Sequence, residues 1–300
     1  MNLILILLFT IIPVFIIMKI IYDLDKIEKE PIKMLIFLFI GGIISWVIVR
    51  LTSKLINGHV YELSAGSPFL KNDWEFFLIS FGLIAVVEEL SKFLVLNTIC
   101  WRSKNFDYPY DAVVYGVFVS LGFAFAENIM YLYQQGLGIA VSRAIFSIPA
   151  HAIFGVLMGY YLGLAKVCQK KNLKSDCTKL RYFAFFIPLI YHGIYDCICN
   201  FNAKYIYYFF VAYVIIMYII AILKIKKLNN LEYNIEYTDE EPELIPIGEE
   251  EVYSNQVLEE SENKIKEQLF NNEVSPDKHI HMKMFSNDDD FDNGETNTNV

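Results

Sequence analysis

Seven stretches of mostly apolar residues recur along the chain, near 2–22, 34–56, 75–97, 110–133, 138–165, 182–201 and 204–223. Each approaches or exceeds the roughly 20 residues that an α-helix needs to cross bilayer hydrocarbon. The pattern predicts an all-α fold, a polytopic membrane helix bundle of about seven transmembrane helices. The stretch 138–165 is long for one span and is expected to tilt, or to bend at Pro149. The first stretch carries no Lys or Arg before Lys19 and no small-x-small cleavage site. It therefore reads as a retained helix rather than a signal peptide.

The apolar pattern stops near residue 228. Residues 229–300 are rich in Glu, Asp and Asn, with few aromatics and no sustained helical period. This composition predicts a disordered tail. His279 and His281 lie in it, and solvated side chains are the expected reading there. The chain thus divides into a transmembrane domain, 1–228, and an acidic tail, 229–300.

Composition sharpens this division. Hydrophobic residues make up 55% of the chain and charged residues 20%, with a mean hydropathy of +0.38. A soluble domain carries about 45–50% apolar and about 25% charged residues. The net charge of −9 averages two unlike parts. Residues 1–228 hold 21 Lys and Arg against 14 Asp and Glu, and residues 229–300 hold 4 against 20. No nucleic-acid partner is expected.

Basic residues mark every second loop. Lys26, Lys29 and Lys33 follow the first span, Arg102 and Lys104 the third. Lys166, Lys170, Lys171, Lys174, Lys179 and Arg181 follow the fifth, and Lys224, Lys226 and Lys227 the seventh. The positive-inside rule then predicts a multi-pass cell-membrane protein with its N-terminus outside and its tail cytoplasmic. The loop 57–73 would lie outside, its Gly, Ser and Pro suiting irregular structure. The basic loop 166–181 is a candidate contact for anionic membrane lipids or for the acidic tail. Five cysteines, Cys100, Cys168, Cys177, Cys197 and Cys199, form neither a disulfide framework nor a CxxC knuckle, and packing is their expected role.

Ionisable groups inside spans are costly and point to function. The third span carries Glu88, Glu89 and Lys92, and the fourth Glu127 and Asn128. The fifth carries His151, and the sixth His192 and Asp196. Lys92 lies three and four residues after the glutamates, so it can pair with either on one helix face. Pairing one carboxylate leaves the other free to act on a proton. A purely structural ion pair would need one Glu, not two.

His192 and Asp196 also share a face, so together they could hold a metal, or the Asp could orient the imidazole. His151 repeats that spacing with Gly155, an empty position that lets another helix approach. Glu127 could add a third metal ligand or accept a hydrogen bond from a histidine. Arg143 is expected to snorkel at the outer end of the fifth span, and Asp111 to cap or start the fourth. These groups could support peptide-bond hydrolysis inside the membrane. With a metal, His151, His192 and a carboxylate bind it and a Glu deprotonates water. Without one, the histidines and Asn128 donate to the oxyanion.

The motifs are EExxK at Glu88–Lys92, FxxxEN at Phe123–Asn128, HxxxG at His151–Gly155 and HxxxD at His192–Asp196. In this order on successive spans they resemble the PrsW family of intramembrane proteases, over roughly residues 5–223. That family is similar in its motifs to the CAAX prenyl protease and bacteriocin-immunity superfamily. There the first motif is usually EExxxR and the second ends in His, so Lys92 and Glu127 favour PrsW.

The resemblance implies a membrane-embedded endopeptidase, classed as a metalloprotease. It implies Glu88 and Glu89 as water-activating carboxylates and His192 as metal ligand or oxyanion donor. His151, Glu127 and Asp196 follow as further metal ligands, with Lys92 and Asn128 in support. Zn2+ or another divalent metal is the implied cofactor, and a metal-free glutamate mechanism stays open. The implied substrate is a single-pass membrane protein, an anti-sigma factor cut at site 1 under envelope stress in regulated intramembrane proteolysis. Two other classes compete: a proton-coupled transporter, whose relays use similar buried groups, and a non-catalytic binder of a membrane peptide. The absence of a clear inverted repeat, together with the odd span count, weighs against transport.

Overall fold

Every residue from Asp111 to Ala124 is buried, on all sides of its helix. A helix that is apolar all round and rich in small residues belongs at the centre of a bundle. The computed structural model of the chain has this arrangement. It describes residues 3–66, 73–199 and 204–230; within them, the side chains of Leu3, 53–66, 73–81 and 204–206 are not described. The expected tail and its two histidines lie outside the described residues.

The described residues form seven long helices: α1 (Leu3–Leu24), α2 (Ile32–Gly66), α3 (Asp73–Cys100), α4 (Asp111–Gln135), α5 (Ile148–Lys170), α6 (Lys174–Cys199) and α7 (Lys204–Asn229). Among the described residues there is no strand. Among the described residues, six helical segments are long and apolar enough to cross a membrane. The remaining helix, α3, covers the third apolar stretch and carries Glu88, Glu89 and Lys92. Helix α2 continues to Gly66, ten residues past the expected end of the second span. Hydropathy marks where a span leaves hydrocarbon, not where its hydrogen bonding stops.

Central α4 packs against α1, α2, α3 and α5, and α5 packs in turn on α6 and α7. The main chains of α4 and α5 nearly touch at one crossing. A Cβ at Gly155 would stand 2.6 Å from the Gly116 carbonyl oxygen, and one at Gly116 would press on that of Gly155. This is the close approach that the empty position after His151 implies. The outer faces of α1 and α7 expose Ile12, Phe15, Ile16, Phe209, Ile215 and Ile219, a surface suited to lipid.

The long fifth stretch is not one smooth helix. After Gly136 (φ +82°) ends α4, the chain makes a 3₁₀ turn, a single α turn and then a π-helical turn over Arg143–Ser147. Pro149 follows within the first turn of α5, where its missing N–H costs least. The expected irregularity therefore lies just before Pro149. The π turn shifts the helical register and turns Arg143 into the bundle. All five cysteines are free thiols.

Candidate active site

Helices α3, α4, α5 and α6 each bring their polar groups to one place. Glu88, Glu127, His151, His192 and Asp196 all line a single cavity of about 530 Å³. Tyr131, Arg143 and Tyr195 are among its other polar lining residues. Groups separated by up to about a hundred residues in sequence meet because the polar residues of four helices converge on one side of the bundle.

The two glutamates differ. Glu88 lines the cavity, whereas Glu89 is fully buried behind it. Glu89 Oε1 accepts hydrogen bonds from Lys92 Nζ at 2.7 Å and His192 Nδ1 at 2.7 Å. Lys92 Nζ stands 4.0 Å from Glu88 Oε2, too far for a hydrogen bond. Glu88 Oε2 is buried without a hydrogen-bond donor. The pairing of one carboxylate with release of the other is thus built into α3.

The histidine tautomers follow from their partners. Because His192 Nδ1 donates to Glu89, a neutral His192 carries its lone pair on Nε2. That atom lies 3.4 Å from Asp196 Oδ2 and 3.8 Å from Glu88 Oε2. His151 is arranged the other way. Lys92 Nζ donates to its Nδ1 at 3.2 Å, and its Nε2 donates to Glu127 Oε2 at 3.2 Å. The rings sit near each other, centroids 5.5 Å apart, and Phe154 stacks on His192 at 4.7 Å. Lys92, fully buried, also lies 4.2 Å from the centre of the Phe123 ring.

Arg143 departs from the expected snorkelling. Its Nη2 donates to Glu127 Oε2 at 2.6 Å and its Nε to Asn128 Oδ1 at 2.6 Å. Its guanidinium rests 4.0 Å over the Tyr131 ring. A buried carboxylate offers an arginine more than the bilayer interface does. Asn128 Nδ2 donates to the Ala124 carbonyl, so its amide serves the helix and Arg143 together. Sequence reasoning missed Arg143, Tyr131 and Tyr195 as cavity residues. Tyr195 directly precedes Asp196 in HxxxD, and that adjacency was the available signal.

Comparison with known proteins decides the class. A family model described as PrsW family intramembrane metalloprotease matches residues 30–223. The chain belongs to the PrsW family. It is 33% identical over 228 residues to the protease PrsW of Clostridioides difficile (strain 630), covering 74% of this chain and 91% of the relative. With the protease PrsW of Oceanobacillus iheyensis the identity is 34% over 220 residues, 72% of this chain and 93% of the relative. That of Bacillus subtilis (strain 168) is 31% identical over 189 residues, 62% of this chain and 79% of the relative. No solved structure matches it. A PrsW protein is a multi-pass, membrane-embedded endopeptidase, so the enzyme reading stands over transport and passive binding.

The PrsW family description names metalloproteases, which raises the question of which donors in this chain suit an ion. Glu127 Oε2 already accepts from Arg143 and His151, and Lys92 occupies the His151 Nδ1 lone pair. His192 Nε2 and Asp196 Oδ2, 3.4 Å apart, are nitrogen and oxygen donors of the kind Zn2+ takes. The PrsW cavity thus brings one nitrogen and one oxygen donor together at its His192 edge.

Proposed function

We propose that this PrsW protease cleaves a single-pass membrane protein at a bond within or next to the bilayer, with Glu88 as the general base. The observation that carries the reading is Glu88 itself. It is a buried carboxylate with an oxygen lacking a donor, on the wall of a cavity shared with both histidines. Glu88 takes the proton of a water in that cavity and later delivers it to the leaving amine.

Glu89 is a positioning residue. It holds His192 by Nδ1, so that Nε2 faces the reacting carbonyl. Lys92 offsets the charge of Glu89 and fixes His151. Arg143, held by Glu127 and Asn128, supplies positive charge where the oxyanion develops. His192 and Asp196 would hold a divalent ion, with His151 and Glu127 joining only on release of Lys92 and Arg143. Such an ion supplies Lewis-acid polarisation of the scissile carbonyl.

The substrate we propose is a membrane-anchored anti-sigma factor, cut at site 1 in envelope-stress signalling. This rests on the resemblance of the four motifs to those of the PrsW family. The test is quantitative membrane proteomics in the native host under envelope stress. Wild type is compared with the Glu88→Gln/Glu89→Gln double mutant. One full-length single-pass protein is expected to accumulate in the mutant. If no membrane protein changes in length or abundance, the proposed substrate class is wrong.

The same reading puts the N-terminus outside and the C-terminal tail in the cytoplasm, because the basic loops alternate along the chain. Membrane-impermeant thiol labelling of intact cells checks this. A single cysteine at Lys170, in a chain with its five native cysteines replaced, is expected to stay unlabelled until the cells are opened. Labelling of intact cells would reverse the orientation.

A further inference from the structure

At the junction of α1, α2 and α4, away from the cavity, three carboxylates meet. Asp25 follows α1, Glu30 precedes α2 and Asp111 begins α4. One ligand atom from each lies within 4.8 Å of the others. All three side chains are buried, with exposures of 5%, 4% and 1%. Among the described residues none of them forms an ion pair.

The neighbouring polar groups satisfy only part of this charge. Tyr115 donates its hydroxyl to Glu30 Oε2. The backbone N–H groups of Asp107 and Tyr108 donate to Asp111 Oδ2 at 3.1 and 2.7 Å. The Ile27 N–H donates weakly to Asp25 Oδ1 at 3.4 Å. The nearby cation, Lys29, spends its ammonium on the main-chain carbonyls of Tyr22 and Asp25, at 2.6 Å each. Asp25 Oδ2 and Asp111 Oδ1 remain buried with no donor at all. Unpaired buried carboxylates are expensive unless a proton or a cation joins them.

We propose that Asp25, Glu30 and Asp111 form a site for a hard divalent cation of the Mg2+ and Ca2+ class, tying the α1–α2 connection to the start of α4. The donor set is all oxygen, with neither His nor Cys, which selects hard ions over Zn2+. Ligand atoms around such an ion stand about 2.0–2.6 Å from it, so a trio within 4.8 Å of one another is close enough to share one. The backbone donors to Asp111 and the Tyr115 hydroxyl on Glu30 are the outer partners that orient ligating carboxylates.

The test uses the full chain, purified in detergent and stripped with a chelator at pH 7.5. Mg2+, Ca2+ and Mn2+ are titrated separately while thermal unfolding is followed. One of them is expected to raise the unfolding temperature saturably, by roughly 5–10 °C at a hundredfold excess over its Kd. Terbium is expected to light up through Tyr115 and to be displaced by the same ion. Terbium binding and displacement are read on the wild type, so the result does not depend on a variant folding. The Asp25→Asn/Glu30→Gln pair is expected to lose both signals. Glu88→Gln/His192→Ala is expected to keep them, which separates this site from any ion in the proteolytic cavity. No thermal shift with any of the three ions and no sensitised emission would overturn the proposal. So would signals that vanish only in Glu88→Gln/His192→Ala.

Discussion

Glu88→Gln is expected to abolish cleavage and leave the bundle folded. The amide keeps the shape of the side chain but cannot take a proton from water, and loss of a general base costs about 10²–10⁴-fold in rate. Stability should hold or rise slightly, because the substitution removes a buried charge with an oxygen that no donor reaches. The neighbouring Glu89→Gln is expected to behave differently. It leaves the ammonium of fully buried Lys92 without its 2.7 Å carboxylate partner. Breaking a buried pair from one side costs about 3–5 kcal/mol, so this variant should lose unfolding temperature as well as activity.

Glu89→Gln/Lys92→Met removes both charges together. It is expected to recover the unfolding temperature without recovering activity, because His192 still lacks the carboxylate that orients it. The measurements are thermal unfolding and the cleavage rate of a single-pass substrate, for all three variants in one detergent. Wild-type turnover by Glu88→Gln would remove Glu88 as the base. An unchanged unfolding temperature for Glu89→Gln would show that the Lys92 pair contributes little to folding.

Gly155→Ala is expected to be nearly as damaging, although it adds one methyl group and touches no charge. The new Cβ would stand 2.6 Å from the Gly116 carbonyl oxygen and 2.8 Å from the Val117 Cα, both main-chain atoms of the central helix. Main chain cannot swing aside as a side chain can, so α4 and α5 must separate. Overpacking of this kind costs about 1–3 kcal/mol. The larger effect falls on function. His151 lies one turn from Gly155 on α5, and its partner Glu127 lies on α4. Misplacing such groups by about 1 Å can cost about 100-fold in rate.

The control is Gly193→Ala, directly beside His192. A Cβ there meets nothing within 4 Å, so activity and unfolding temperature should stay near wild type. Equal effects of the two substitutions would mean that helix separation is not the cause.

Much of this protein follows from local pattern alone. Runs of about 20 apolar residues place the helices, because a chain in lipid must satisfy its backbone within each span. The 3.6-residue period puts His192 over Asp196, and Lys92 beside Glu88 and Glu89, on shared faces before any fold is known. Gly155, empty and one turn from His151, marks where another helix comes close. These features depend on near neighbours in sequence, so they can be read from it.

Three other features depend on groups far apart in the chain. Glu88 and Glu89 are adjacent and about 100° apart around their helix; only the packing of α3 against α4 and α6 turns Glu88 to the cavity and buries Glu89. Arg143 reads as an interfacial residue until the π turn and the buried carboxylate of Glu127 draw it inward. Asp25, Glu30 and Asp111 belong to three different helix ends and carry no common spacing. A carboxylate's partners in a bundle are set by which helices touch and at what register, and side-chain periodicity within one helix holds no record of either.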